Sequence, residues 1–230
     1  MMKKLLISAI SVMVLTGCSA ADDSTVSESS VKSLNTALKT KPLKKIFTHE
    51  HEKEVKDGVT YIDGILIVNK TIALPADYAP GENKVARQAV EWLIADGDKE
   101  GMQFVIRSGY RTYDYQQNLY REYVARDGEQ AADKYSAKPG HSEHQTGLTY
   151  DIGSVASAND FRISFGDTPE GAWLKNHAHE YGFIIRYPEG KEHITGYQYE
   201  PWHVRYVGKR LASEFYKNNK TLEEYLGLYK

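Results

Sequence analysis

The chain is expected to fold as an α+β domain, a mainly antiparallel sheet flanked by helices. Two observations carry that expectation. Strand-like and helix-like segments interleave along the chain, but the spacings between them are mostly short and hairpin-like. The stretch VTYIDGILIVNKTIAL, residues 59–74, alternates and is rich in β-branched residues, with Asp63-Gly64 at a turn position. There are no internal repeats.

Taken in order, the first segment reads as lying outside the fold. Lys3 and Lys4 form a short basic region, and Leu5 to Leu15 is an apolar run too short to span a bilayer comfortably. The run ends in LTGC, which resembles a bacterial lipobox with Cys18 as the lipidated first residue of the mature protein. Residues 1–17 are therefore expected to be a lipoprotein signal peptide, against the alternative of an ordinary secretory signal with a chance cysteine. Cys18 is the sole cysteine, so an internal disulfide and a cysteine-rich metal site are both excluded. Residues 18–45 are polar and charged with no aromatic residue, and read as a flexible lipid-anchored linker. The folded domain is expected over 46–230.

Within that domain, the 59–74 stretch is expected as a hairpin or two short strands. Residues 83–101 carry Val85, Ala89, Trp92 and Leu93 at helical spacing, with Asn83 to cap the helix and Gly97 to end it. Residues 102–108 read as a strand. Residues 112–128 read as a second amphipathic helix capped by Thr112. A third helix is expected over 172–183, ended by Gly182. FIIRYP and QYEPWHVRYV read as strands, and TLEEYLGLY as a terminal helix with a capping box from Thr221 to Glu224.

Composition is that of a soluble globular protein, 41% hydrophobic and 26% charged, which excludes a wholly disordered chain. Cleavage after Gly17 would leave 27 basic against 31 acidic residues, and no basic stripe is present, so no nucleic-acid partner is expected. A monomer is the expectation.

The residues with chemistry fall in three clusters: RSGYR (107–111), HSEHQTGLTYDIG (141–153) and YEPWHVRYVG (199–208). A catalytic zinc needs three protein ligands and one position open for water, together with a base and an oxyanion partner. A turn at Gly147 followed by a short strand would bring His144 and Asp151 to one ion. Glu200 precedes Pro201 and so avoids helical geometry, which rules out a helical Glu-x-x-His pair. In a flat strand Glu200 and His203 would face opposite sides. They meet only if the strand is kinked at Pro201-Trp202, and that kink is expected.

SGYRTYDYQ, SEHQTGLTYDIG and YGFIIRYPEGKEHITGYQYEPWHVRYVG closely resemble the VanY-type zinc D,D-carboxypeptidases and their LdcB-like L,D-specific relatives, from about Val59 onward. Three ordered motifs make the resemblance specific. It implies a hedgehog/DD-peptidase-like zinc peptidase domain. It implies that His144, Asp151 and His203 bind Zn2+, that Glu200 is general base and later proton donor, and that Arg111 stabilises the oxyanion. Ser142, Gln116 and Trp202 match positions that hold the substrate's terminal D-residue, and the substrate is the stem peptide of peptidoglycan.

The chemistry is consistent with those roles. Zinc lowers the pKa of a bound water from ~16 toward ~7, leaving a carboxylate only a modest task. Arginine keeps its charge at any working pH. The remaining histidines are read as follows: His141 as rim of the pocket, His179 as packed and hydrogen-bonded, His49 and His51 as solvated, and His193 in a groove-lining loop. Tyr150 is expected to point away from Asp151.

The sequence therefore reads as a carboxypeptidase, on the outer face of a bacterial cell membrane, that removes the terminal D-alanine of stem peptides. An L,D-carboxypeptidase acting on the tetrapeptide is the nearest alternative. A non-catalytic wall-binding lipoprotein would have no need of Glu200, and a solute-binding protein would need a longer two-lobed chain.

Overall fold

The computed structural model describes residues 50–157 and 160–229; Cys18, His49 and the expected signal and linker lie outside them. Two antiparallel sheets and flanking helices give the expected α+β fold. The first sheet is a meander of β1 (Lys53–Lys56), β2 (Val59–Ile62) and β3 (Ile65–Leu66). Its two turns are Asp57-Gly58 and Asp63-Gly64. All four residues have positive φ, between 49° and 78°, the backbone that a two-residue hairpin turn needs and that Asp-Gly tolerates.

Helix α1 (Lys84–Lys99) starts where Asn83 accepts hydrogen bonds from the Val85 and Ala86 amides. It differs from the sequence expectation in two ways. Val85 and Trp92 are exposed, and the buried face is Ala86, Ala89, Val90, Leu93 and Gly97. Gly97 does not end the helix. It lies inside, where a Cβ would come within 2.5 Å of the Phe104 ring, so glycine is what lets β4 (Phe104–Ser108) pack close.

Next come α2 (Tyr113–Asp127), capped by Thr112 as expected, and the short α3 (Glu129–Ala132). Strand β5 (Thr149–Ser154) is buried along its whole length. Helix α4 (Pro169–His177) begins three residues earlier than the sequence indicated, because Thr168 caps it and proline occupies its first turn. A 3₁₀ turn carries it to Gly182, left-handed at φ 92°. β6 (Phe183–Ile185), the one-turn α5 (Glu192–Thr195) and β7 (His203–Tyr206) follow. Only 203–206 of the expected 198–207 strand is a strand. Helix α6 (Lys209–Asn218) is absent from the sequence expectation, and α7 (Leu222–Tyr225) carries the expected capping box.

The main sheet has the order β4-β5-β7-β6, with every neighbour antiparallel. Tyr150 and Ile152 on β5, with Phe183 and Val204, pack against Val90 and Leu93 of α1 and Trp173 and Leu174 of α4. Tyr150 thus points into the core, away from Asp151, as alternation along a strand requires. A second cluster joins Ile62, Ile67 and Ile184 to Leu211 and Phe215 of α6 and Leu222 and Leu226. Among the described residues no helix is long and apolar enough to cross a membrane.

Candidate functional site

The site is built by register. Asp151 on β5 is the direct partner of His203 on β7, so both side chains rise from one face of the sheet. His144 arrives from the preceding 3₁₀ turn (Glu143–Thr146), which ends on Gly147 at φ 70°. A Cβ on Gly147 would stand 2.1 Å from the Gly81 carbonyl oxygen, so the turn has no room for another residue. The RSGYR loop closes on this turn twice. The Arg111 amide donates to the His144 carbonyl at 3.2 Å, and His144 Nδ1–H donates to the Gly109 carbonyl at 2.7 Å.

That second bond fixes the His144 tautomer and leaves Nε2 bare, 3.2 Å from Asp151 Oδ2. His203 Nδ1 stands 3.1 Å from Asp151 Oδ1. Two donors each ~2.1 Å from a tetrahedral ion lie roughly 3.4 Å apart, so these spacings suit one small cation. Donor atoms of all three residues fall within 4.8 Å of one another. Among the described residues His144 Nε2 and Asp151 Oδ1, both buried, have no hydrogen-bond partner, which a bound cation would relieve.

Glu200 is brought beside the triad by a turn. The His203 amide donates to the Glu200 carbonyl at 3.1 Å, and Glu200 Oε2 lies 3.5 Å from His203 Nδ1. The expected kink within a strand is instead a turn at Pro201-Trp202 that precedes β7; proline has no N–H to give to a ladder.

Burial divides these groups. It lowers the His144 pKa to about 4, helped by the Arg111 charge, so the imidazole is neutral and able to ligate. For His203 burial works the same way, but Asp151 and Glu143 outweigh it and raise the group to about 9 in the metal-free site. Burial pushes Asp151 up, yet His144 and His203 hold it well below the usual carboxylate range. Glu200 is pushed up to about 8 by burial, with His203 and Arg111 opposing and Asp151 adding to the rise.

A cleft of about 530 Å³ opens over the triad. Arg111, Gln116, Ser142, Glu200 and Trp202 all line it, as the sequence motifs suggested. Gln116 Nε2 donates to the Ala137 carbonyl at 2.7 Å, and its Oε1 is buried with no partner among the described residues. Arg111 Nε is likewise buried and unpartnered. Trp202 packs edge-on against Phe161, and Tyr115, Tyr123, Tyr135, Tyr187 and Tyr197 complete the walls.

Comparison with known proteins bears on this arrangement. The family model VanY, D-alanyl-D-alanine carboxypeptidase, matches residues 81–209, more than half the chain. The chain belongs to the VanY D-alanyl-D-alanine carboxypeptidase family. YodJ of Bacillus subtilis (strain 168), provisionally named a carboxypeptidase, is 35% identical over 94% of this chain and 92% of its own. The solved structure of the LdcB LD-carboxypeptidase superposes with a TM-score of 0.70 at 41% identity, covering 76% of this chain and 95% of that one. A single-residue mutant of the vancomycin-resistance D,D-pentapeptidase VanY, in complex with Zn(II), superposes with a TM-score of 0.61 at 33% identity, covering 70% of this chain and 97% of that one. This VanY-family chain is a carboxypeptidase by those relations, and His144, Asp151 and His203 form its candidate three-residue metal site.

Several other histidines lie elsewhere than the sequence suggested. His141 does not reach the rim of the cleft; its Nδ1–H donates to the Asn69 carbonyl at 2.8 Å, beside Lys70 and Lys138. His193 lies on α5 against Tyr229 rather than in the groove, because the one-turn helix ended by Gly196 points it away. His51 is not merely solvated, since it meets Asp63 at 2.6 Å across the meander. His179 stacks on Tyr216 as the packed residue expected. Sequence reasoning also passed over Tyr187, whose ring lies 4.8 Å from the His203 ring, and Glu143 with its two arginines. One signal for the arginines was present: Arg205 is two residues from His203 on a strand and so shares its face.

Proposed function

We propose that the protein removes the C-terminal D-alanine from peptidoglycan stem peptides, with zinc held by His144, Asp151 and His203. The observation that carries the reading is the convergence of these three donors with Glu200 at 3.5 Å and Arg111 in one cleft. When bound, zinc supplies a Lewis acid that makes a water nucleophilic near neutral pH. Glu200, which lies next to the triad and whose carboxyl the charge of a bound cation would bring down from about 8, takes the proton from the attacking water. It then returns that proton to the leaving amine of D-alanine. Arg111 offsets the negative charge that grows on the scissile carbonyl oxygen, and its fixed charge costs no protonation step. Gln116, Ser142 and Trp202, which line the cleft, hold the terminal D-residue and its carboxylate.

The higher identity and TM-score with LdcB support a second reading, in which the same chemistry acts on the tetrapeptide, where the residue before D-alanine is an L-centre. Incubating the zinc-loaded protein separately with pentapeptide and tetrapeptide and weighing the products decides between them. Loss of one alanine from the pentapeptide alone supports the D,D reading; loss from the tetrapeptide alone replaces it with the second. Cleavage of neither peptide removes both.

We further propose that residues 1–17 are a signal peptide and that lipidated Cys18 tethers the enzyme to the outer face of the cell membrane. The support is LTGC after an apolar run and a polar stretch of linker composition.

A further inference from the structure

Behind the triad lies a cluster of four buried charges that the proposed chemistry does not use. Glu143 and Arg186 have fully buried side chains, Arg205 is 1% exposed, and Glu223 is 5% exposed. Glu143 divides its two oxygens. Oε1 accepts from Arg186 Nε at 2.7 Å and from Arg205 Nη1 at 2.8 Å. Oε2 is left facing the sheet, where Thr149 Oγ1 stands at 3.5 Å and His203 Nε2 at 3.7 Å. That His203 nitrogen is buried and has no hydrogen-bond partner among the described residues. Its other nitrogen, Nδ1, is the one turned toward Asp151 and Glu200. The arginines are held in turn. Arg186 forms a two-pronged pair with Glu223 of α7 at 2.9 and 2.6 Å, and Arg205 donates to the Leu66 carbonyl at 2.7 Å.

We infer that Glu143 is a positioning residue: its Oε2 is the acceptor toward which His203 Nε2–H points, and it thereby keeps the Nδ1 lone pair directed at the metal. The separation of 3.7 Å is too long for a hydrogen bond, and closing it takes less than ~1 Å. An imidazole that ligates through one nitrogen is fixed by what the other nitrogen meets. His144 meets a backbone carbonyl, and Glu143 plays the matching part for His203. The residue therefore serves both histidines, since its backbone carries His144 and its side chain faces His203. The arginines hold Glu143 from behind, and Glu223 extends that hold to α7. This inference rests on the reading of His203 as a ligand.

The decisive variant is Glu143→Gln. The introduced amide can keep an oxygen toward the arginines, which turns its NH₂ toward His203 Nε2. A donor there favours the tautomer with its proton on Nδ1, where the metal should sit. Zinc affinity, measured by competition with a chromophoric chelator, should fall ~10–100-fold. Turnover should recover in excess zinc, which a general loosening of the fold would not allow. Glu223→Gln, which leaves Glu143 facing His203, should lower Tm while holding zinc affinity within a few-fold. In long-range ¹H–¹⁵N spectra of the zinc-loaded wild-type protein, His203 Nε2 should carry a slowly exchanging proton. Unchanged zinc affinity in Glu143→Gln, or an equal loss in Glu223→Gln, overturns the inference. If Glu143→Gln does not fold, the wild-type spectrum decides, and an Nε2 without a proton overturns it. Wild-type protein that takes up no zinc would instead refute the proposed metal site itself.

Discussion

At the scale of the residue, the site assigns different tasks to chemically similar groups through what surrounds them. His144 is neutral because it is buried beside Arg111, whereas His203 in the metal-free site is held charged by two carboxylates. On the proposed ligand set, a metal would have to displace a proton from His203, so that proton and metal compete. The sign follows directly: apparent metal affinity should rise about tenfold per pH unit up to about 9 and flatten above it. Chelator competition across pH 6–10 measures this, with proton release on binding as the companion signal. An affinity independent of pH would show that His203 is not a ligand. Arg111→Lys keeps the charge but loses the planar fork, so it should bind metal normally and still slow turnover. The proposed site residues His144, Asp151, His203, Glu200 and Arg111 could be picked out because they sit in short, recognisable motifs, and the fold brings donor atoms of the first three within 4.8 Å of one another. Glu143 was not, although it lies beside His144, because its partners Arg186 and Arg205 are 43 and 62 residues away and only folding brings them together.

At the scale of the element, the site depends on a turn and a strand pairing. Gly147 is constrained twice over, left-handed and 2.1 Å from a backbone oxygen at its would-be Cβ. Gly147→Ala should cost at least ~2 kcal/mol from the backbone conformation and the clash together. In a domain of this size that is a fall of roughly 4–8 °C in Tm, with lower activity as His144 shifts. A thermal melt of the variant tests it; an unchanged Tm would mean the turn can relax. Helix and strand identities were mostly readable from periodicity and caps, since Asn83, Thr112 and Thr221 all cap as expected. Boundaries that tertiary packing decides were not readable. Gly97 looks like a stop signal in isolation, but it sits within α1 because Phe104 needs its missing side chain. Glu200 looks like part of a strand, yet the turn at Pro201 removes it from the ladder and sets it beside His203.

At the scale of the whole molecule, one antiparallel sheet separates a supporting core from a working face. Alternation along β5 sends Tyr150 and Ile152 into the core while Asp151 faces the site. The α+β class was legible from interleaved strands and helices with short connections. Helix α6 was missed, although Leu211, Ala212 and Phe215 share one of its faces and close the second core. The proposed tether belongs to this scale too: Cys18→Ala should leave the protein as uncleaved precursor or free in the medium, read by fractionation. A variant processed and retained like the wild type would remove the lipid anchor from the account. The central claim is that three residues hold the metal while Glu200 moves the proton. It is tested most directly by metal content measured alongside turnover in Glu200→Gln and His203→Ala. The expected result is that Glu200→Gln keeps its zinc and loses ~10²–10⁴-fold in kcat, while His203→Ala loses the zinc and with it the activity. A Glu200→Gln protein without zinc beside a His203→Ala protein that retains it would contradict the assignment.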